Sequence, residues 1–257
     1  MHDALLEWYA REHRDLPWRR TSDPYAILVS EVMLQQTQVA RVVPRYEQWL
    51  ERWPDEGALA AAARADVLTA WVGLGYNTRA VRLHEACRVV ARDGWPRTAA
   101  GLRELPGVGP YTAAAVASFA FGEQVAAVDT NVRRVAARLG RGTADDLLPP
   151  GRAHDWNQAM MELGATVCGA RSARCEVCPV AASCASRGAV VIAARAPGGS
   201  RERFEDSTRW VRGRIIAALA AGDGLPDAIA QVRLQPALDG LVRDGLVVVE
   251  QDGARLA

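Results

Sequence analysis

The sequence predicts an all-α protein, and three observations carry that reading. Apolar residues recur at helical spacing nearly everywhere up to residue 184. Breakers cut this pattern into short pieces at Asp23-Pro24, Trp53-Pro54, Gly94-Trp95-Pro96 and Leu148-Pro149-Pro150-Gly151. After residue 184 the character changes, and Ala194 to Arg203 reads as a linker into a smaller segment. The expected architecture is a bundle of many short helices followed by a small C-terminal module.

Asp23 suits a helix cap and Pro24 the first turn, and Ala26, Ile27, Val29, Val32, Met33 and Leu34 supply the apolar face behind them. Similar stretches run from about 39 to 53, 78 to 92, 110 to 120, 130 to 139 and 154 to 167. The alanine run from Leu59 to Ala65 reads as a further helix on propensity. In the C-terminal segment, Trp210 to Leu219 is amphipathic and Leu234 to Leu241 forms a second helical stretch. Leu246 to Glu250, then Gln251-Asp252-Gly253, then Ala254 to Ala257 reads as a hairpin. Helices followed by a hairpin predict a winged-helix-like module over 209–257, joined by a linker over 191–208.

Composition bounds the chemistry. The 257 residues include 31 basic and 30 acidic side chains, for a net charge of +1. All the basic residues are arginine, and no lysine occurs anywhere. Codon bias accounts for the absence, but its chemical consequence holds regardless. A phosphate-binding P-loop lysine, a pyridoxal aldimine and a Schiff-base lysine nucleophile are all excluded. No stretch approaches the roughly 18 to 20 apolar residues that span a bilayer. Met1-His2-Asp3 does not open a signal peptide, so a cytoplasmic, nucleoid-associated protein with no membrane partner is expected.

Four of the five cysteines crowd into Cys168-x6-Cys175-x2-Cys178-x5-Cys184, while Cys87 sits alone on an apolar face as a core residue. In a reducing compartment such crowding means metal rather than disulfides. A structural zinc site usually pairs two CxxC knuckles; one CxxC with asymmetric flanks better suits a four-iron cluster. Arg171, Arg174 and Arg187 against Glu176 leave this loop net positive, so it also suits phosphate.

A second pattern is Leu105-Pro106-Gly107-Val108-Gly109-Pro110-Tyr111-Thr112. Gly107 and Gly109 permit positive φ and close backbone approach, and Pro110 suits the first turn of a helix. Such a hairpin aims free amides at a phosphate, with Gly107, Val108, Gly109 and Thr112 as the expected DNA-backbone contacts. Two acids also stand out. Glu31 shares a helix face with Ile27 and Leu34, where desolvation should raise its pKa so that it holds a proton to donate. Asp129 follows Val125-Ala126-Ala127-Val128 and is placed to cap the helix that begins at Thr130, which keeps it ionised. A protonated and an ionised carboxyl facing each other are what glycosidic bond cleavage requires.

Together with these, Leu16-Pro17-Trp18-Arg19, Ser30 to Thr37, Gly73-Leu74-Gly75-Tyr76, Asn157 to Gly164 and the four cysteines resemble the MutY-type adenine DNA glycosylases of the helix-hairpin-helix, endonuclease III-like superfamily. The resemblance covers about residues 5 to 190. It implies two lobes, a six-helix barrel over 21–127 bearing the hairpin and a [4Fe-4S] lobe over 1–20 and 128–190, with double-stranded DNA across the cleft and the target base flipped into a pocket. By motif, Glu31 would protonate adenine N7 and Asp129 would stabilise the cationic sugar, with Tyr111 and Asn131 holding that centre. Trp18, Arg19 and Glu162 would line the base pocket, and Gln36, Leu74 and Tyr76 would wedge beside the opposing base. Cys168, Cys175, Cys178 and Cys184 would hold the cluster. A monovalent cation at the hairpin and a monomeric state complete the expectation.

Bifunctional members of the superfamily carry a Schiff-base lysine where this chain has Tyr111, so excision should stop at an abasic site with water as the final nucleophile. The chain departs from the family in having Asn77 after Tyr76 and Thr130 where Asp-Gly-Asn is common. The C-terminal residues do not resemble the MutT-like domain that many members use to read 8-oxoguanine. The expected activity is removal of adenine mispaired with 8-oxoguanine or guanine. A thymine or uracil mismatch glycosylase of the same architecture and a catalytically silent iron-sulfur DNA-binding protein are the alternatives.

Overall fold

The computed structural model describes residues 1–190 and 203–257, so most of the expected linker lies outside the described residues. Among them are twelve α-helices and one two-stranded antiparallel sheet. The helices are α1 (His2–Glu12), α2 (Pro24–Leu34), α3 (Val39–Arg52), α4 (Glu56–Ala61), α5 (Arg64–Trp71), α6 (Thr78–Asp93), α7 (Ala99–Leu102), α8 (Pro110–Phe121), α9 (Thr130–Leu139), α10 (Ala153–Thr166), α11 (Thr208–Ala221) and α12 (Gln231–Arg243). Strands β1 (Val247–Glu250) and β2 (Gly253–Leu256) pair in the register Val247 to Leu256 and Glu250 to Gly253.

Local chemistry starts and stops these elements. The Asp23 carboxylate accepts from the amides of Tyr25 (3.2 Å) and Ala26 (3.1 Å), which satisfies two orphan donors at the start of α2. Asp129 caps α9 and Ser207 caps α11. Left-handed glycines end α8, α9 and α11 at Gly122, Gly140 and Gly222. The alanine run is not one helix. Ala62 and Ala63 are extended, with ψ of 150° and 139°, and separate α4 from α5. Packing outweighs propensity there, because the break lets α4 lie on α6 while α5 buries Val67, Leu68 and Trp71.

The chain divides into two compact units. One comprises Met1–Glu31 and the described residues from Trp95 to Val190, and α10 is its centre, in contact with α1, α8 and α9. Its core gathers Leu5, Val132, Val135, Leu139, Trp156, Met160 and Leu163. The other comprises Val32–Gly94 and the described residues from Arg203 onward. Trp49 anchors it through edge-on contacts with Trp53 and Trp71, at centroid distances of 4.7 and 5.4 Å. α7 and α8 pack with the α10 unit.

The C-terminal module has the expected order of helices and hairpin, with a turn at Pro226–Ile229 between α11 and α12. It is not an independent bead on a linker. Val211, Ile215, Leu238, Leu241 and Leu256 form one core with Leu68 of α5 and Val81 of α6.

Candidate active site

Glu31 lies on α2 at the end of the first stretch of the α10 unit, and its burial there is nearly complete at 7% exposure. Burial raises the Glu31 pKa to about 7; a hydrogen bond from Tyr111 opposes the rise and the nearby Asp129 charge adds to it. Tyr111 comes from the first turn of α8, directly after the hairpin, and its hydroxyl also reaches the Met161 sulfur at 3.4 Å. Burial, with Glu31 and Asp129 beside it, holds the Tyr111 phenol well above its usual range, so it stays a neutral donor. Glu31, Tyr111 and Asp129 thus come together.

Asp129 is fixed from two directions. Its Oδ1 accepts the Val132 amide at 2.6 Å and its Oδ2 accepts Asn131 Nδ2 at 2.8 Å. Asn131 is held in turn by Arg134, whose guanidinium donates to Asn131 Oδ1 (2.9 Å) and to the Gly164 carbonyl (2.7 Å). A methyl group on Gly164 would lie 2.7 Å from the Asn131 Cβ, so glycine is what lets α10 pass directly behind Asn131. The irregular segment that delivers Asp129 is pinned by Asn157. This buried side chain accepts from the Ala127 amide (2.9 Å) and donates to the Val125 carbonyl (2.9 Å) and the Ser118 hydroxyl (3.0 Å).

Glu162, fully buried on α10, carries both oxygens into a guanidinium pair. Arg14 grips it at 2.8 and 2.9 Å, and Arg19 adds a contact at 2.7 Å. Burial alone would raise its pKa; the two guanidiniums outweigh that and hold the carboxyl at about 2. Arg19 also donates to Gln158 Oε1 (3.2 Å) and to the Arg14 carbonyl (2.9 Å). Trp18 is buried beside Arg19 on a single 3-10 turn. Arg14 and Asn157 were not singled out as site residues from the sequence. Only Asn157 left a signal there, a polar side chain on a face otherwise filled by Trp156, Met160 and Leu163.

The hairpin departs from expectation in two details. Gly107 takes positive φ at 76°, but Gly109 is extended at φ −85° and ψ 174°. A Cβ at Gly109 would meet no protein atom within 4 Å, so it keeps the surface open to an approaching group instead of satisfying a strained turn. Thr112 is buried, so only its amide can serve a phosphate, and the Val108 amide is already used on the Leu105 carbonyl at 3.1 Å.

In the second unit, Gln36 and Tyr76 are exposed and both adopt left-handed backbone, at φ 56° and 48°. Leu74 is 4% exposed and belongs to the core. Arg79, buried on α6, explains how two strained loops persist. It donates to the carbonyls of Val32 (2.7 Å), Gln35 (2.7 Å), Leu74 (3.0 Å) and Gly75 (2.9 Å), tying both loops to one guanidinium. Burial lowers its pKa to about 10, which still leaves it charged at neutral pH.

The four clustered cysteines line one solvent-open pocket together with Arg138 and Arg174. Burial pushes the Cys178 thiol up, opposed by an amide hydrogen bond from Val180 and helped by the nearby Cys168, Cys184 and Cys175. Among the described residues, no three His, Cys, Asp or Glu side chains are disposed to hold a single metal ion. Arg138 donates to Cys168 Sγ (3.2 Å) and to the Gly169 carbonyl (2.8 Å), the kind of outer contact that stabilises thiolate ligands.

Residues 29–148 match the HhH-GPD superfamily of base excision DNA repair proteins. The chain is 44% identical to an adenine DNA glycosylase of Mycobacterium tuberculosis across 97% of its own length and 90% of that protein. It is 45% identical to the Mycolicibacterium smegmatis adenine DNA glycosylase over 97% of the chain and 93% of that protein, and 45% identical to the human one over 72% of the chain and 39% of that protein. Among solved structures, a thermostable thymine-DNA glycosylase superimposes with a TM-score of 0.67 at 31% identity, covering 72% of this chain and 94% of that one. A non-covalent endonuclease III–DNA complex follows at 0.62 and 25%, covering 72% and 92%. The chain therefore belongs to the adenine DNA glycosylase family of the HhH-GPD superfamily of base excision DNA repair proteins.

Proposed function

We propose that the protein removes adenine mispaired with 8-oxoguanine or guanine and leaves an abasic site, and the pairing of Glu31 with Asp129 through Tyr111 is the observation that carries this reading. With a pKa near 7, Glu31 is protonated in a useful fraction at neutral pH and can pass its proton to adenine N7. Protonation draws electrons into the base, and the C1′–N9 bond breaks as the sugar takes on positive charge. Asp129 faces that charge, held by the Val132 amide and by Asn131 so that no reorganisation is needed as charge develops. Water then adds at C1′ and gives up its proton to the Glu31 carboxylate, which restores the acid.

Trp18 and Arg19 are assigned to the wall of the base pocket. Glu162, with both oxygens engaged, acts as a positioning residue for Arg14 and Arg19. The amides of Gly107, Gly109 and Thr112 are assigned to a DNA phosphate and, in this reading, the hairpin can also hold a monovalent cation. Gln36 and Tyr76 are assigned to the opposing base, and Leu74 to the core beneath them. Cys168, Cys175, Cys178 and Cys184 would hold a [4Fe-4S] cluster, whose contribution is to fix the loop that carries Arg171 and Arg174. A monomer acting on double-stranded DNA is sufficient for this chemistry.

With no lysine in the chain, base release should not be followed by strand cutting. Alkali treatment of the reacted A:8-oxoguanine duplex is expected to cleave it at the adenine, while untreated duplex stays intact and borohydride traps no protein–DNA adduct. Borohydride trapping of the wild-type chain would contradict the hydrolytic assignment.

A further inference from the structure

We propose that the C-terminal module is a second DNA-backbone site, whose groove takes phosphates of the strand that carries the base opposite the adenine; this rests on the reading of Gln36 and Tyr76 as the residues that meet that base. The groove lies wholly within the second unit, between α11 and the loops of Gln36 and Tyr76, and has a volume of about 830 Å³, open to solvent. Its charged lining is Arg41, Arg209, Arg212 and Arg214 against the single carboxylate of Asp244. Arg212 is paired with Asp244, which leaves three exposed guanidiniums with no ion pair among the described residues. In a chain of net charge +1, three unneutralised arginines on one groove are a concentrated potential that suits a polyanion.

Two further observations connect the groove to DNA instead of to a free anion. Arg209 donates to the Tyr76 hydroxyl at 2.6 Å, and its guanidinium lies over the Tyr76 and Phe204 rings at 5.4 and 5.0 Å. That bond uses one of the five N–H donors of Arg209, so the same side chain that braces Tyr76 has donors left for a phosphate. The module is also preset. Its shared core with Leu68 and Val81 fixes α11 against the helices that carry the Tyr76 loop, so no domain closure is required before binding. Because Gln36 and Tyr76 line the same groove as these arginines, a base met by those two residues would bring the phosphates of its own strand to the guanidiniums.

The test is the salt dependence of binding by the full chain to duplexes carrying a non-hydrolysable 2′-fluoro-adenosine opposite 8-oxoguanine or guanine. Removing one arginine–phosphate interaction should flatten the plot of log K against log salt by about 0.9 to 1. Arg209→Gln with Arg214→Gln is expected to reduce the slope by about two, equally on both duplexes, while the Arg209→Lys with Arg214→Lys pair retains it. An unchanged slope in the glutamine pair overturns the proposal and leaves a protein partner as the occupant of the groove. A weakening confined to the 8-oxoguanine duplex overturns it also, in favour of base reading. Should the glutamine pair fail to fold, ethylation interference on the wild-type complex decides. Interference at phosphates flanking the opposing base is expected there, and its absence would refute the groove. Adenine release by the wild-type chain, measured on the corresponding cleavable duplex, separates the two claims: no release defeats the glycosylase reading, whereas release with an unchanged slope defeats only the groove.

Discussion

Glu31→Gln is expected to abolish adenine excision and, at pH 8, to make the protein more stable than the wild type. The folded protein keeps the Glu31 proton up to about pH 7, whereas an unfolded glutamate releases it near 4.5. Between those values the folded state binds more protons than the unfolded one, so stability falls as pH rises from about 4.5 to 7 and stays reduced above that. The shift corresponds to a penalty on the order of 3 kcal/mol at pH 8. Glutamine keeps the shape and cannot ionise, so urea unfolding should show a gain at pH 8 that vanishes at pH 4. Single-turnover excision should fall by on the order of 10³-fold or more. For the wild type, the rate should decline as pH rises through about 7, because the protonated carboxyl is the active form. Asp129→Asn tests the second carboxylate. Asparagine caps a helix as well as aspartate does, so α9 stays intact while excision is lost. Excision within tenfold of wild type in either variant, or a stability gain in Glu31→Gln that is the same at both pH values, contradicts the assignment.

Glu162→Gln should have the largest effect on folding. The substitution leaves Arg14 and Arg19 gathered around a neutral amide, with the Arg19 side chain only 9% exposed. Breaking a buried ion pair from one side costs about 3 to 5 kcal/mol, and because the Arg14 side chain is 41% exposed, the lower end of that range applies here. The Glu162 pKa is depressed, so its contribution is present above about pH 4.5 and is lost as pH falls toward 2. Urea unfolding at pH 7 should show a loss of about 3 kcal/mol with an unchanged m-value, and the gap between variant and wild type should close on acidification. A loss below about 1 kcal/mol at pH 7 would mean that water or another group already satisfies the arginines.

Much of this architecture is written locally. Helix starts at Asp23-Pro24 and Asp129 and the turn between β1 and β2 depend on neighbouring residues, and each appears where expected. The acid pair is also legible, because an acid on an apolar face and an acid at a cap give opposite electrostatic expectations. Nonlocal contacts account for what the sequence did not reveal. Arg79 looks like any polar residue on a helix until two distant loops fold their carbonyls around it, and nothing near Arg14 marks it as a partner of Glu162. Leu74 sits in a motif that resembles a wedge, but whether a leucine faces solvent or core depends on the packing of α5 and α6, and here it is buried. Propensity overstated the alanine run for the same reason.

The most direct test of the account is a panel of duplexes carrying A:8-oxoguanine, A:G, T:G and U:G pairs, with the released base identified by mass. Release of free adenine from the first two and of nothing from the others is the predicted result; release of thymine or uracil, or tight binding with no base released from any duplex, would contradict it.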